Sequence, residues 1–323
     1  MRDCRLVAAS GGTKAVLAAL FANAGIAIAK FIGFLITSSS SMLAESIHSV
    51  ADTSNQALLL WGGRAARQGA DERFQFGRGR ERYFWSFIVA MVLFLLGSLF
   101  ALYEGIEKIR HPHEVDSPVV AIVILAVAIV LESWSFRTAV VESDKVRRPG
   151  QSWWGFVRQS RSPELPVVLL EDLGALIGLF LALGAVTLTQ VTGDATWDGV
   201  GTLCIGVLLG VIAVTLAYEM KQSLIGEAAV REDEDRLVAA IEETPGVRRL
   251  IHLRSQHLGP DELLVAAKIE FAPDLSITAL ADVVNATEQR VRAAVPVATM
   301  IYLEPDLYEL AQSSGEAGST ASP

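Results

Sequence analysis

Six stretches of the chain stay apolar for about 20 residues or longer, enough to cross the hydrocarbon core of a bilayer. They run roughly from 15 to 37, 42 to 63, 84 to 107, 118 to 140, 165 to 191 and 197 to 220. After Gly226 the pattern changes. Residues 231 to 243 are charged, with apolar positions at Leu237, Val238 and Ile241 behind an acidic first turn, which predicts an amphipathic helix. Residues 249 to 258 and 263 to 271 read as strands, and the second alternates Val265, Ala267, Ile269 and Phe271 against Lys268 and Glu270. Ser276 then caps a helix carrying Ile277, Leu280, Val284 and Val291 on one face, and 298 to 304 reads as a last strand.

The pattern predicts an α-helical membrane protein with six transmembrane helices, followed by a small cytosolic α+β domain in the order α-β-β-α-β. The expected divisions are 1–226 for the transmembrane domain, 227–310 for the cytosolic domain and 311–323 for a disordered Ser/Gly/Ala tail without apolar periodicity. The first apolar run is too long for a signal-peptide core and lacks an A-x-A cleavage pattern, so it is read as a retained span.

Orientation follows from the basic residues. Arg64, Arg67, Arg73, Arg78, Arg80 and Arg82 gather between the second and third stretches. Arg137, Lys145, Arg147, Arg148, Arg158 and Arg161 flank the link from the fourth to the fifth. Loops rich in positive charge stay in the cytosol. The opposite loops, Ser38 to Ser41, the segment around His111-Pro112-His113, and Gly193-Asp194, are short and poor in positive charge. The expectation is a multi-pass protein of the cell membrane with both termini cytosolic.

Composition narrows the class. Hydrophobic residues make up 51% of the 323, yet 20% are charged and the formal net charge is -9. The mean hydropathy of +0.40 exceeds that of an ordinary soluble enzyme. The acidic balance comes largely from the C-terminal third, which does not suggest a nucleic-acid partner. Cys4 and Cys204 are too far apart in sequence and setting to form a CxxC site or a disulfide framework.

The chemistry lies in polar residues inside the apolar stretches. Glu45, His48, Asp52 and Asn55 are spaced three, four and three, which places them on one face of a single helix. A carboxylate at the bilayer centre costs at least ~2.5 kcal/mol, so such residues face a bundle interior and commonly mark an ion or proton path. His48 and Asp52, one turn apart, can converge on one metal ion. The fourth stretch adds Glu132 and the fifth adds Glu171 and Asp172. The plainer reading is that these groups hydrogen-bond between helices. Asn23 is read as helix-packing glue, Lys30 as snorkelling to the surface, and His252 and His257 as surface histidines.

These residues resemble a known family, the cation diffusion facilitators. Ser38-Ser39-Ser40-Ser41 and Glu45-Ser46-Ile47-His48-Ser49-Val50-Ala51-Asp52 look like that family's second-helix metal motif, and Phe76-Gly77-Arg78-Gly79-Arg80 resembles its FG-x-G-K/R loop. The resemblance covers nearly the whole chain. Glu171-Asp172 and the stretch from Phe76 to Phe87 look closest to the branch containing the animal mitochondrial zinc transporter.

The resemblance implies export of zinc or a similar divalent ion against inward proton flow, by a homodimer whose cytosolic domains pair. His48 and Asp52 match the family's second-helix ligands, and Asp172 matches the aspartate of a fifth-helix His-x-x-x-Asp. Val168 stands where that histidine is expected. The remaining ligand could be Glu45, Glu171, Glu132 or water. Some family members bind further metal at histidines in the loop before the third span and in the cytosolic domain; here Phe74, Arg78, Tyr302 and Glu304 stand in those regions, which predicts that such sites are absent.

No permanently bound cofactor is expected. Zn2+, or Mn2+ or Fe2+ if oxygen ligands dominate, is the transported substrate. Ligands must shed protons to bind a cation, so metal and protons compete for the same groups, and His48 is the best proton carrier near neutral pH. The partners expected are the metal ion, protons, the lipid bilayer and a second copy of the chain. Against an intramembrane metalloprotease, the spans hold His48 but no His-Glu-x-x-His. An Mn2+ or Fe2+ exporter, a channel, and a non-transporting metal sensor or scaffold remain as alternatives.

Overall fold

The structure, a computed structural model, describes residues 2–37, 40–111, 118–160 and 162–308, with the side chains of 2–12, 33, 34, 36, 37, 40–48, 51, 118 and 159 outside the description. The expected tail, Ser38, Ser39 and His113 therefore lie outside the described residues. The chain divides into two units, Met1–Ile225 and Gly226–Pro323.

The first unit is helical. It runs through α1 (Arg2–Thr37), α2 (Ser40–Ala65), α3 (Glu81–Val92), α4 (Phe100–Arg110), α5 (Pro118–Val146), α6 (Trp153–Gln159), α7 (Glu164–Thr192) and α8 (Thr196–Ile225). Among the described residues, five helical stretches are long and apolar enough to cross a membrane: Thr13–Ile32, Glu81–Arg110, Val119–Val146, Glu164–Thr192 and Thr196–Ile225. Helix α2, whose first half lies outside the described side chains, is not among them. Helix α1 packs on α2 and α5, α7 packs on α5 and α8, and α4 packs on α8.

The third span is one rod in sequence but not in winding. Between α3 and α4, residues Leu93–Leu99 form a π-helical segment, an element that apolar periodicity does not reveal. Ser98 in this segment donates its hydroxyl to the carbonyl of Gly206 on α8, 2.8 Å away. Below it, α4 and α8 approach backbone to backbone. A Cβ on Gly105 would stand 2.8 Å from the Leu203 nitrogen and 3.0 Å from the Gly199 carbonyl oxygen. Small residues permit such contact, which lets helices pack tightly where water supplies no drive to associate.

Helix α6 falls inside a link that the sequence leaves irregular. Ser152 caps it, accepting a hydrogen bond from the Gly155 nitrogen. Phe156 and Val157 are buried while Trp153 and Trp154 stay exposed, and the Arg147 guanidinium lies 4.5 Å over the Trp153 ring.

The second unit holds α9 (Arg231–Glu242), β1 (Val247–Gly259), β2 (Glu262–Phe271), α10 (Ile277–Ala294) and β3 (Ala298–Pro305). The sheet order is β1-β2-β3, with β1 antiparallel and β3 parallel to β2. Parallel neighbours need a crossover, and α10 supplies it. Val265, Ala267, Ile269 and Phe271 are buried, as their alternation requires, with Leu237 and Ile241 of α9 and Val291 of α10 in the same core. Ser276 caps α10 by accepting from the Ala279 nitrogen.

One expectation for this unit fails, and one helical face is covered only in part. Ile277 shares a helical face with Leu280 and Val284 but is 88% exposed, because it sits a turn before the packed stretch. His257 is buried rather than at the surface. Register irregularities between Leu250 and His252 and between His257 and Gly259 break the simple alternation of faces along β1.

Candidate metal site

Helix α2 carries the polar stripe, and its described half begins a network. Asn55 and Gln56 lie three and four residues beyond Asp52, hence on the same side of the helix. Asn55 donates from Nδ2 to Glu171 Oε1 at 3.0 Å, and Gln56 donates from Nε2 to Glu171 Oε2 at 2.8 Å. Gln56 accepts in turn from Asn23 of α1 at 3.3 Å, which gives Asn23 the interhelical role its sequence position suggested. Three helices thus meet through one carboxylate. Glu171 is only 6% exposed, and each of its oxygens already accepts from an amide.

Asp172, the next residue, is 1% exposed and answers to another helix. Ser135 of α5 donates its hydroxyl to Asp172 Oδ2 at 2.6 Å, which fixes the carboxylate, and among the described residues Oδ1 has no hydrogen bond. Ser135 stands one turn beyond Glu132, itself buried on α5. Adjacent residues on an ideal helix point about 100° apart. That rotation is what sends Glu171 toward α2 and Asp172 toward α5.

Glu45 and His48 sit on the backbone of α2, two turns and one turn before Asp52, but their side chains are outside the described residues. Asp52 is half-buried. Val168, four residues before Asp172, is fully buried among Leu59, Ala139, Leu165 and Leu216 in the apolar core of the unit. Among the described residues, no group of three or more His, Cys, Asp or Glu is close enough to hold a metal ion.

Sequence reasoning passed over Gln56 and Ser135. Both carried a signal: Gln56 is one helical turn from Asp52, and Ser135 is one turn from Glu132. A polar side chain at that spacing from a buried acid inside an apolar stretch is a candidate partner.

The other polar positions have structural employment. Asp71 knots the arginine-rich loop: its Oδ1 accepts from the nitrogens of Arg73 and Phe74, and its Oδ2 accepts from Arg78 Nη2 at 2.9 Å. The Phe74 amide and then the Arg78 guanidinium hold the Asp71 carboxyl below its usual range. Arg78 also stacks 4.4 Å over the Phe74 ring, and Gly77, at φ 77°, makes the reversal possible. In the small unit, Glu304 pairs with Lys268 at 3.3 Å while Tyr302 is exposed.

Comparison with known proteins agrees with this layout. A family model described as the cation efflux transmembrane domain matches residues 16–225, and one described as the cation efflux protein cytoplasmic domain matches 229–306. The proton-coupled zinc antiporter SLC30A9, mitochondrial, of Homo sapiens is 33% identical over 81% of this chain and 46% of its own length. Metal tolerance protein C4 of Arabidopsis thaliana is 29% identical over 80% of this chain and 57% of its own. The cation-efflux pump FieF of Cronobacter sakazakii is 26% identical over 90% of this chain and 91% of its own. The chain spans about half the length of the SLC30A9 relatives it matches.

Proposed function

The chain belongs to the cation efflux family and is a multi-pass membrane protein, and from that premise we propose that it exports a divalent metal ion from the cytosol, Zn2+ first, in exchange for protons. The observation that carries the reading is Asp172, a carboxylate buried within α7 with one oxygen anchored by Ser135 and the other without a hydrogen bond among the described residues. An intramembrane acid with unspent acceptor capacity marks an ion path. The similarity to a protein named as a proton-coupled zinc antiporter supports the choice of ion and coupling.

In this proposal His48, Asp52 and Asp172 bind the ion. Glu45 is the nearer candidate for a fourth ligand, since both oxygens of Glu171 are occupied by Asn55 and Gln56. Metal and protons exchange because each ligand binds one or the other. Six spans, with α2 as the second, close the bundle around the site, and the arginine-rich loops face the cytosol from a cell membrane. The active unit is a homodimer in which the small domains pair.

Val168 favours a second reading. With an apolar residue at the fifth-helix position, the site is richer in oxygen than a two-histidine zinc site, which moves preference toward Mn2+ or Fe2+.

Purified protein in sealed vesicles tests these together. Saturable zinc uptake with opposed proton flow is the expected result, abolished by Asp52→Asn in protein that remains folded. Full transport by Asp52→Asn would remove the assigned site. Preference for manganese or iron in the same vesicles would select the second reading, and absence of any flux would leave a sensor or scaffold.

A further inference from the structure

A cavity of about 210 Å³ opens where α2 ends and α3 and α7 begin, against the side of α1. Arg64 lies in the last turn of α2, Arg82 in the first turn of α3, Glu164 at the start of α7, and Thr13 within α1, just before the apolar run that begins near residue 15. The ends of apolar stretches mark the border between hydrocarbon and water, which is the depth of lipid headgroups. The wall toward the spans is apolar, formed by Val16, Leu17, Leu59 and Leu60, while Arg64, Arg67 and Arg82 stand at the polar side.

The three arginines are not equally engaged. Arg82 pairs with Glu164 at 3.4 Å, both nearly buried. Among the described residues, Arg64 and Arg67 have no side-chain hydrogen bond or ion pair, although other loop arginines do: Arg78 holds Asp71, Arg147 holds Asp144, and Arg158 faces Glu219. Glu164 answers one of the cavity's cations and leaves a net positive rim over an apolar wall.

We propose that this cavity binds the phosphate-bearing headgroup of an anionic membrane lipid, with Arg64 and Arg67 on the phosphate and the start of an acyl chain against Leu59 and Leu60. A guanidinium is suited to phosphate because its planar donors match two oxygens at once. Basic pockets between spans at the membrane border take such headgroups. A free phosphate ion shares the charge but gains nothing from the apolar wall, so the lining selects the lipid. The site is independent of which ion the protein carries.

Gly63 offers a test by shape. A Cβ there would have its nearest neighbour, Glu164 Oε1, 4.0 Å away, so a larger side chain at Gly63, which lines the cavity, can be added without a clash at its Cβ and takes up space that a lipid would use. The full chain, purified in detergent, is titrated with phosphatidylglycerol and with phosphatidylcholine, and bound lipid is counted by native mass spectrometry. Phosphatidylglycerol should be retained over phosphatidylcholine. Arg64→Gln with Arg67→Gln should weaken it roughly 30-fold, from the usual worth of two basic residues at an anionic surface. Gly63→Leu should weaken it with every arginine in place. Arg147→Gln with Arg148→Gln should leave it unchanged.

Three results overturn the proposal. They are equal retention of the two lipids, an equal loss in the Arg147 and Arg148 variant, which would mean diffuse charge attraction, and displacement of the lipid by inorganic phosphate at matched concentration, which would mean a free-phosphate site. If Gly63→Leu does not fold, the arginine variants decide, since both residues are exposed.

Discussion

Ser135 and Asp172 are joined by a 2.6 Å hydrogen bond between α5 and α7, and the donor is a hydroxyl rather than a cation. A neutral donor orients the carboxylate without cancelling its charge. An arginine there would have satisfied both oxygens and made an ion pair, whereas serine leaves the acid able to take a cation.

Ser135→Ala should therefore weaken the site without emptying it. Losing a hydrogen bond to a charged group is worth about 1.5–3 kcal/mol, or roughly 10- to 100-fold in affinity if it all falls on the bound state. The measurement is half-saturation of transport in vesicles. An unchanged value in folded Ser135→Ala would mean that Asp172 needs no orientation.

Glu171 invites a comparison of two substitutions. Glu171→Ala leaves the amides of Asn55 and Gln56 buried without their acceptor and should lower the melting temperature, at about 1–3 kcal/mol for each stranded donor. Glu171→Gln should be milder. Among the described residues Asn55 Oδ1 has no hydrogen-bond partner as the amide stands, so turning Asn55 over lets it accept from the new side chain. Equal melting of the two variants would show that the clamp contributes little.

Val168→His places an imidazole one turn before Asp172, on the same face. It should raise zinc preference over manganese and iron, since a nitrogen ligand suits zinc. Val168 is fully packed, so the larger polar ring should also cost about 1–3 kcal/mol of stability. Competition between metals in protein confirmed as folded is the readout. No change in preference would place Val168 away from the ion.

Two glycines test the packing of the spans. Gly105→Ala drives a methyl into the Leu203 backbone and should destabilise by about 1–3 kcal/mol. Gly184→Ala, on α7, meets nothing within 4 Å and should be neutral or mildly stabilising, as alanine favours helix. Their order in thermal melts checks the contact between α4 and α8.

In the small unit, Lys268 Nζ lies 3.0 Å from Asp306 Oδ2. The hydrogen bond to Asp306, then that to Glu304, raises the Lys268 ammonium above its usual 10.5, while Lys268 lowers the Asp306 carboxyl below its usual 3.8. The stabilisation from Asp306 is present above 3.8 and fades as pH falls through the lowered value; that from Lys268 is present below 10.5 and fades as pH rises through the raised one. Asp306→Asn should thus melt lower than the natural protein at neutral pH, with the gap closing in acid and shrinking in high salt, because the pair is solvent-exposed. A gap that survives acid would assign the loss to something other than this charge.

Much of the small unit was legible because burial imposes a period. Val265 to Phe271 alternate against a helix layer, and Ser276 before an apolar stripe leaves one place for α10 to begin. Five of the spans were legible by apolar length alone. The π-helical turn at Leu93–Leu99 was not, since a uniformly apolar stretch carries no phase to shift. The acids at 132, 171 and 172 stand out because polar groups are rare there. Their partners do not: Gln56 and Ser135 are ordinary helix residues until a second helix brings a carboxylate within reach.

The divergence of Glu171 and Asp172 limits how α7 can move. Both side chains ride on one rigid backbone, so rolling the helix about its own axis swings them together through the same angle. A roll that turned Glu171 toward the place Asp172 faces would carry Asp172 away and break its bond with Ser135, while tearing Glu171 from Asn55 and Gln56. One turn of the shaft can exchange one acid for the other, as a two-position key does, but it cannot present both at once.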